Sequence, residues 1–316
     1  MKVLLRISIA TMLISSLAIA ANAQCGTWND KPNKDDLEGA HSIYRQYLKD
    51  KQVSDIEQMD AENFGIAFEN WKKVYDASPA ADGQRATHYV DGRTLYMAMH
   101  NKTTDAAKRK EYADLILKLY DEQMQCYKNE AFLLGRKAFD MFYYLPDYGV
   151  SKESYQAFKK AIDVGGKNSE YLVLDPMGKL MTYLFQEKEI TKEEVEKMTE
   201  LLTEIAEHNE KNNKQYGAYY AQSLAAMENS LAPIADAVFD CEYFKKKLLP
   251  EFKANPDDLE VVKYVYSKLR GQGCDSTDVA VVELRTKYET LAAEINARLE
   301  AELLRCLPPP ERRQIR

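Results

Sequence analysis

Five cysteines, four histidines and an ample stock of carboxylates are the residues of this chain whose chemistry could be put to use. The cysteines are Cys25, Cys126, Cys241, Cys274 and Cys306, and no two have the C-x-x-C spacing of a thioredoxin-type motif or a structural zinc site. Among the histidines (His41, His88, His100 and His208), His208 follows Glu204 by one helical turn, with Glu200 and Asn212 on the same face. A metal-ligand pair uses that spacing, but there is no H-E-x-x-H and no third ligand, so the pattern reads as a solvated helix face. Gly165-Gly166-Lys167-Asn168-Ser169 fails as a phosphate loop, since no glycine stands five residues before the Gly-Lys pair and no hydroxyl residue follows the lysine. It reads as a helix C-cap. The acidic pairs Asp35-Asp36, Glu193-Glu194 and Asp257-Asp258 show no convergence on a cleft. Asp257-Asp258 suits the N-terminus of a helix after Pro256, where negative charge meets the helix dipole. No catalytic residue, metal or cofactor is expected, and the chain reads as a non-enzyme.

The elements that would position these groups are helices. Phe64, Phe68, Trp71 and Tyr75 recur at three or four residues and stop at Pro79. Tyr112, Leu115, Ile116, Leu119 and Tyr120 form a second stripe, Phe132, Leu133, Phe139, Phe142 and Tyr143 a third, and Tyr155, Phe158 and Ile162 a fourth. Ser151 opens the fourth and Gly165-Gly166 closes it. Thr191-Lys192-Glu193-Glu194 is a capping box that starts a helix reaching about Asn212. Tyr171–Leu174 is the best strand candidate but serves equally as a helix start, and Val279–Leu284 follows the cap residues Ser276-Thr277-Asp278 into a helix.

The N-terminus spells an export leader. Met1–Arg6 is short and basic, Ile7–Ala20 is apolar, and Ala21-Asn22-Ala23 is a small-x-small cleavage site. Cleavage after Ala23 leaves Gln24 first, and Gln24 before Cys25 does not fit a lipobox. The apolar run is short for a bilayer span, so no transmembrane segment is expected after removal. The chain carries 43 Lys+Arg and 50 Asp+Glu, a net charge of -7. Losing Lys2 and Arg6 makes the mature chain more negative still, which argues against binding a phosphate backbone. At 45% hydrophobic and 29% charged the composition is globular.

The helices fall in pairs joined by short turns. Ala67, Trp71, Val74 and Pro79 carry the spacing of the second helix of a tetratricopeptide repeat. Ser154, Phe158, Ala161 and Gly166 repeat it with a glycine stop, and Phe244, Leu248, Glu251 and Pro256 fit it loosely. Val262, Val265, Tyr266 and Leu269 then occupy large-residue positions of a following first helix. With Tyr89-Val90-Asp91-Gly92, Leu134-Gly135-Arg136-Lys137 and Asn255-Pro256-Asp257-Asp258, the stretch Trp71 to Tyr288 resembles exported tetratricopeptide-repeat proteins of Gram-negative bacteria. The resemblance implies an all-α, right-handed solenoid of helix hairpins without significant β-sheet, and a protein-binding role. The expected layout is a signal peptide at 1–23, a linker at 24–36, repeats at 37–275, a long helix at 276–305 and a disordered basic tail at 306–316.

In such an array Cys241 and Cys274, 33 residues apart, lie close to one repeat of about 34. Each precedes a predicted helix, so a Cys241–Cys274 disulfide is expected, while the pairing of Cys25, Cys126 and Cys306 stays open. The 21 tyrosines combine apolar rings with polar tips and suit either gaps between helices or a binding groove. Tyr89, Tyr96, Tyr143, Tyr144, Tyr219 and Tyr220, with Tyr183 and Tyr216, are the groove candidates. The functional expectation is a non-catalytic interaction scaffold, periplasmic or secreted, that holds a protein or peptide at the cell envelope. The alternative is a glycan- or small-ligand-binding accessory protein of an outer-membrane uptake system.

Overall fold

Helix follows helix because caps and stops punctuate nearly uninterrupted apolar stripes. The structure, a computed structural model, describes residues 25–29 and 31–306, and every regular element among them is helical. The expected leader, its expected cleavage site and the tail beyond 306 lie outside the described residues. The described chain divides into two units, residues up to 180 with 203–227, and 181–202 with those from 228 on.

The first unit begins with α1 (Lys34–Leu48), the short α2 (Val53–Glu57) and α3 (Ala61–Ala77). It continues with α4 (Thr87–Lys102), α5 (Ala106–Cys126), α6 (Glu130–Tyr143) and α7 (Lys152–Gly165). Helix α1 packs on α3, α4 on α5, and α6 on α7, while α2 lies against α4. The caps follow the sequence. Asp105 accepts from Ala107 N at 2.9 Å to start α5, Ser151 accepts from Ser154 N at 3.2 Å to start α7, and Gly166, with φ +51°, ends α7.

Ala67, Trp71 and Val74 are fully buried on α3. Trp71 donates its indole N–H to the His88 carbonyl at 2.8 Å and stacks on Tyr75. Its ring lies so close to Gly92 that a Cβ there would collide with it. Gly92 therefore sets how near α4 comes to α3.

The stretch read as a linker is tied down. Trp28 N donates to Ala81 O, and Ala80 N donates to Gly26 O, both at 3.0 Å. Trp28 is buried, and Cys25 is disulfide-bonded to Cys126 at the end of α5, with Cα atoms 5.4 Å apart. This pairing joins the start of the described chain to the first unit's core.

Helices α8 (Leu174–Gln186), α9 (Lys192–Asn212) and α10 (Gly217–Leu231) contribute residues to both units. Thr191 Oγ1 accepts from Glu194 N at 3.2 Å and starts α9 where the capping box predicts. The second unit continues with α11 (Ala235–Val238), α12 (Cys241–Ala254), α13 (Leu259–Gly271) and α14 (Val279–Cys306). Asp258 caps α13, accepting from Glu260 N at 2.9 Å. Phe252, Val262, Val265, Leu269, Val281, Leu284 and Leu291 form the core of this region. Cys241 and Cys274 are disulfide-bonded, with Cα atoms 5.1 Å apart, and Lys245 bridges Glu242 and Asp278 beside them. Beyond residue 292, α14 leaves that core, and Leu299 and Leu303 are exposed. Among the described residues no helix is long and apolar enough to cross a membrane.

Candidate functional site

Alternate helices α2, α4 and α6 in the first unit enclose an open cleft of about 680 Å³. On α4 the lining residues are Val90, Arg93, Thr94, Met97 and Asn101, which fall on one face at intervals of three and four. The opposite face carries Tyr89, Leu95, Tyr96 and Ala98 into the core. Helix α6 contributes Arg136 and Asp140, Tyr144 follows directly at its C-cap, and Tyr120 reaches in from α5.

The cleft is organised by a chain of polar contacts. The Arg93 guanidinium sits 3.9 Å above the Tyr120 ring and donates to Gln123 Oε1 at 2.7 Å. The Tyr120 hydroxyl donates to Asp140 Oδ2 at 2.8 Å. Burial pushes the Asp140 carboxyl above its usual range, and the Tyr120 hydroxyl, Arg93 and Arg136 oppose that shift. Burial also draws Arg93 below the ordinary guanidinium range. Arg136 lies 3.4 Å from Glu170, whose own carboxyl is raised by burial. At the α2 edge, Asn101 Nδ2 donates to Glu57 Oε1 at 2.7 Å. Two arginines, one aspartate and one glutamate thus line the cleft with balanced charge, and no histidine or cysteine stands among the lining residues. Such a surface orients a ligand by fixed donors and acceptors.

The tyrosines expected in a groove divide between core and surface. Tyr89 is fully buried and edge-on to Tyr75 and Tyr127, with ring centroids 6.2 Å away in both cases. Tyr96 is buried against Trp71 and Phe68, and Tyr220 is buried with its hydroxyl donating to Ser169 O at 2.7 Å. These three fill spaces between helices and face no groove. Tyr143, Tyr144, Tyr183, Tyr216 and Tyr219 are exposed. Tyr144 alone of all the candidates lines the cleft, while Tyr143 donates to Asp175 Oδ2 at 3.1 Å. Arg93, Arg136 and Asp140 are not among the site candidates that the sequence offers. The available signal was the polar stripe of α4, Arg93, Thr94 and Asn101, on a helix otherwise composed largely of buried residues.

A second polar cluster lies under Trp28. His88 Nδ1 is 2.9 Å from the Ser78 carbonyl, and His88 Nε2 is 3.0 Å from His41 Nδ1. The Trp28 ring centroid is 5.1 Å from that of His41 and 5.4 Å from that of His88. Beside them Arg45 Nη1 donates to both oxygens of Asp91, at 2.7 and 2.9 Å. Glu204 and His208 gather no further ligand, and no group of three or more His, Cys, Asp or Glu suited to a metal occurs among the described residues.

What fold and site define together is an all-helical, disulfide-bonded chain with an open polar cleft. Compared with known proteins, it matches no family model, no curated protein and no solved structure.

Proposed function

We propose that this chain is an exported, non-catalytic interaction scaffold whose hairpins stack in the tetratricopeptide manner and whose cleft holds a segment of a protein partner at the cell envelope. The observation that carries the reading is the use of alternate helices. The cleft is lined chiefly from α2, α4 and α6, while α3, α5 and α7 are their hairpin or packing partners. Repeat arrays present binding surfaces in this way, because each hairpin buries its apolar face only against neighbours. Balanced charge at Arg93, Arg136, Asp140 and Glu57 suits a polypeptide segment that brings both donors and acceptors. The leader and the two disulfides support export into an oxidising compartment.

The test is capture from envelope extract on the immobilised, oxidised chain, run beside Arg136→Glu and Tyr144→Ala variants. A protein retained by the parent chain and lost from both variants supports the reading. Retention unchanged by both removes the cleft from it. The ligand-binding alternative draws on a separate observation, the exposed tyrosines around residues 171–219.

A further inference from the structure

The geometry points to a saccharide-binding subsite in the first unit, built from the tyrosines Tyr171, Tyr216 and Tyr219 and a neighbouring cavity lined by amides. It gives the ligand-binding reading a location and stands independently of what the cleft holds.

Tyr171 sits in the 3₁₀ turn Tyr171–Val173 that precedes α8, and Tyr219 in the first turn of α10. Their rings stack with centroids 5.2 Å apart and planes 22° apart. Tyr216 lies 6.1 Å from Tyr171 and 6.3 Å from Tyr219. Buried Tyr220 meets Tyr171 edge-on from behind and is pinned through its hydroxyl to Ser169 O. Tyr216 and Tyr219 are nevertheless 41% and 50% exposed. These rings are therefore held in place by one another while their outer surfaces face water. An aromatic surface of that kind receives the C–H face of a pyranose ring.

The polar half of the subsite adjoins it. An open cavity of about 500 Å³ is lined by Asn168, Asn209, Asn212, Asn213 and Gln215, with His208 and Lys214. Gln215 and Asn213 join cavity to platform, since Gln215 Nε2 donates to the Tyr216 hydroxyl at 3.0 Å and Asn213 Oδ1 accepts from Tyr216 N at 3.0 Å. The amides are oriented by their nitrogens. Asn209 Nδ2 donates to the carbonyls of Lys167 at 2.7 Å and Ile205 at 2.9 Å, and Asn212 Nδ2 donates to the His208 carbonyl at 2.7 Å. With the nitrogens engaged, the amide oxygens of Asn209, Asn212 and Gln215 are the atoms left to accept from a ligand. A polyol supplies hydroxyl donors at that spacing.

The lining also selects by charge. It holds no carboxylate and a single cation, Lys214, too little to favour an anionic ligand or a phosphate backbone in a chain of net charge -7. Amides beside tyrosine rings are also a poor match for a wholly apolar ligand. A neutral oligosaccharide satisfies both halves at once.

Calorimetric titration of the oxidised full chain against neutral hexaoses of glucose, mannose, xylose and N-acetylglucosamine tests this directly. The expected result is binding of at least one, weakened roughly tenfold by Tyr219→Ala and by Asn212→Ala. The thermal transition should be unchanged. Asn212 is exposed and lies outside the aromatic packing, so its variant reports on the site even if Tyr219→Ala perturbs the fold. Absence of binding across the panel overturns the proposal. So does binding that survives both substitutions, or equal affinity for a neutral Gly/Ser peptide.

Discussion

His41 Nδ1 and His88 Nε2 lie 3.0 Å apart, and the other nitrogen of His88 faces the Ser78 carbonyl at 2.9 Å. A carbonyl only accepts, so His88 carries its proton on Nδ1 and, when neutral, presents a bare Nε2. His41 must then donate from Nδ1. The pair forms a directional chain, His41 to His88 to Ser78, that breaks when His88 takes a second proton on Nε2.

The first prediction concerns acid. Burial depresses both imidazoles from 6.5 to about 4, with Arg45 and Arg85 adding to the effect at His41 and His41 adding to it at His88. Asp82 pulls the other way at both rings. A folded pKa below the unfolded value means that the unfolded chain takes up protons first as pH falls. The stabilisation is therefore complete above about pH 6.5 and drains away towards pH 4, by on the order of 3 kcal/mol at buried His88 and by less at half-buried His41, where solvent screens the shift. Thermal melts between pH 7 and pH 4 should show a steeper loss for the parent chain than for His88→Gln. Imidazole titration by NMR near the ordinary value for both rings would sink this account.

Gly92→Ala should destabilise the first unit. The added methyl would meet the Trp71 ring well inside contact distance and Leu119 Cδ1 at 3.0 Å. Neither neighbour is the free end of a flexible surface chain, since Trp71 is fixed by its bond to the His88 carbonyl. Overpacking of this kind costs about 1–3 kcal/mol. Denaturant unfolding with an unchanged midpoint would show that α3 and α4 yield more readily than their packing implies.

These particulars also show where the sequence speaks and where it is silent. The Thr191, Ser151 and Asp258 caps were legible because capping is local: a hydroxyl or carboxylate and an amide two or three residues on. The Cys241–Cys274 pairing was legible because each cysteine stands just before a predicted helix, 33 residues apart. Cys25–Cys126, separated by 101 residues, depends on the return of residues 26–28 alongside 80–81, which no local pattern encodes. The turn after α8 places Lys188 at φ +61°, and neither glycine nor proline marks it. Tyr89 and Tyr143 look alike in sequence, yet one is sealed between Tyr75 and Tyr127 and the other is exposed. Helical periodicity gives a residue's face, and only the neighbouring hairpin decides whether that face is covered.

The disulfides should contribute separately measurable stability. In the chain-entropy account, closing a loop of about 100 residues is worth about 4–5 kcal/mol and one of about 33 residues somewhat less. Cys25→Ser with Cys126→Ser should therefore lower the unfolding midpoint and loosen Trp28, seen as a red-shifted, more quenchable tryptophan emission. Alkylation of the non-reduced chain followed by mass spectrometry checks both bonds. Free labelling of Cys25 and Cys126, or of Cys241 and Cys274, would refute the corresponding pair.

Tyr120→Phe isolates the polar chain in the cleft. The ring that carries Arg93 is kept, while the hydroxyl donated to Asp140 is lost. That hydrogen bond favours the charged carboxylate, so its removal should raise the Asp140 pKa further, because burial already pushes it upward. Above that pKa the charged form remains, now with one partner fewer, and stability should fall by about 1–3 kcal/mol. On acidification Asp140 becomes neutral and the difference between variant and parent should shrink. Carboxyl-carbon NMR of Asp140, read alongside denaturant melts at pH 7 and pH 4, separates the two effects. An unmoved Asp140 titration would mean that Arg93 and Arg136, rather than the Tyr120 hydroxyl, govern its charge.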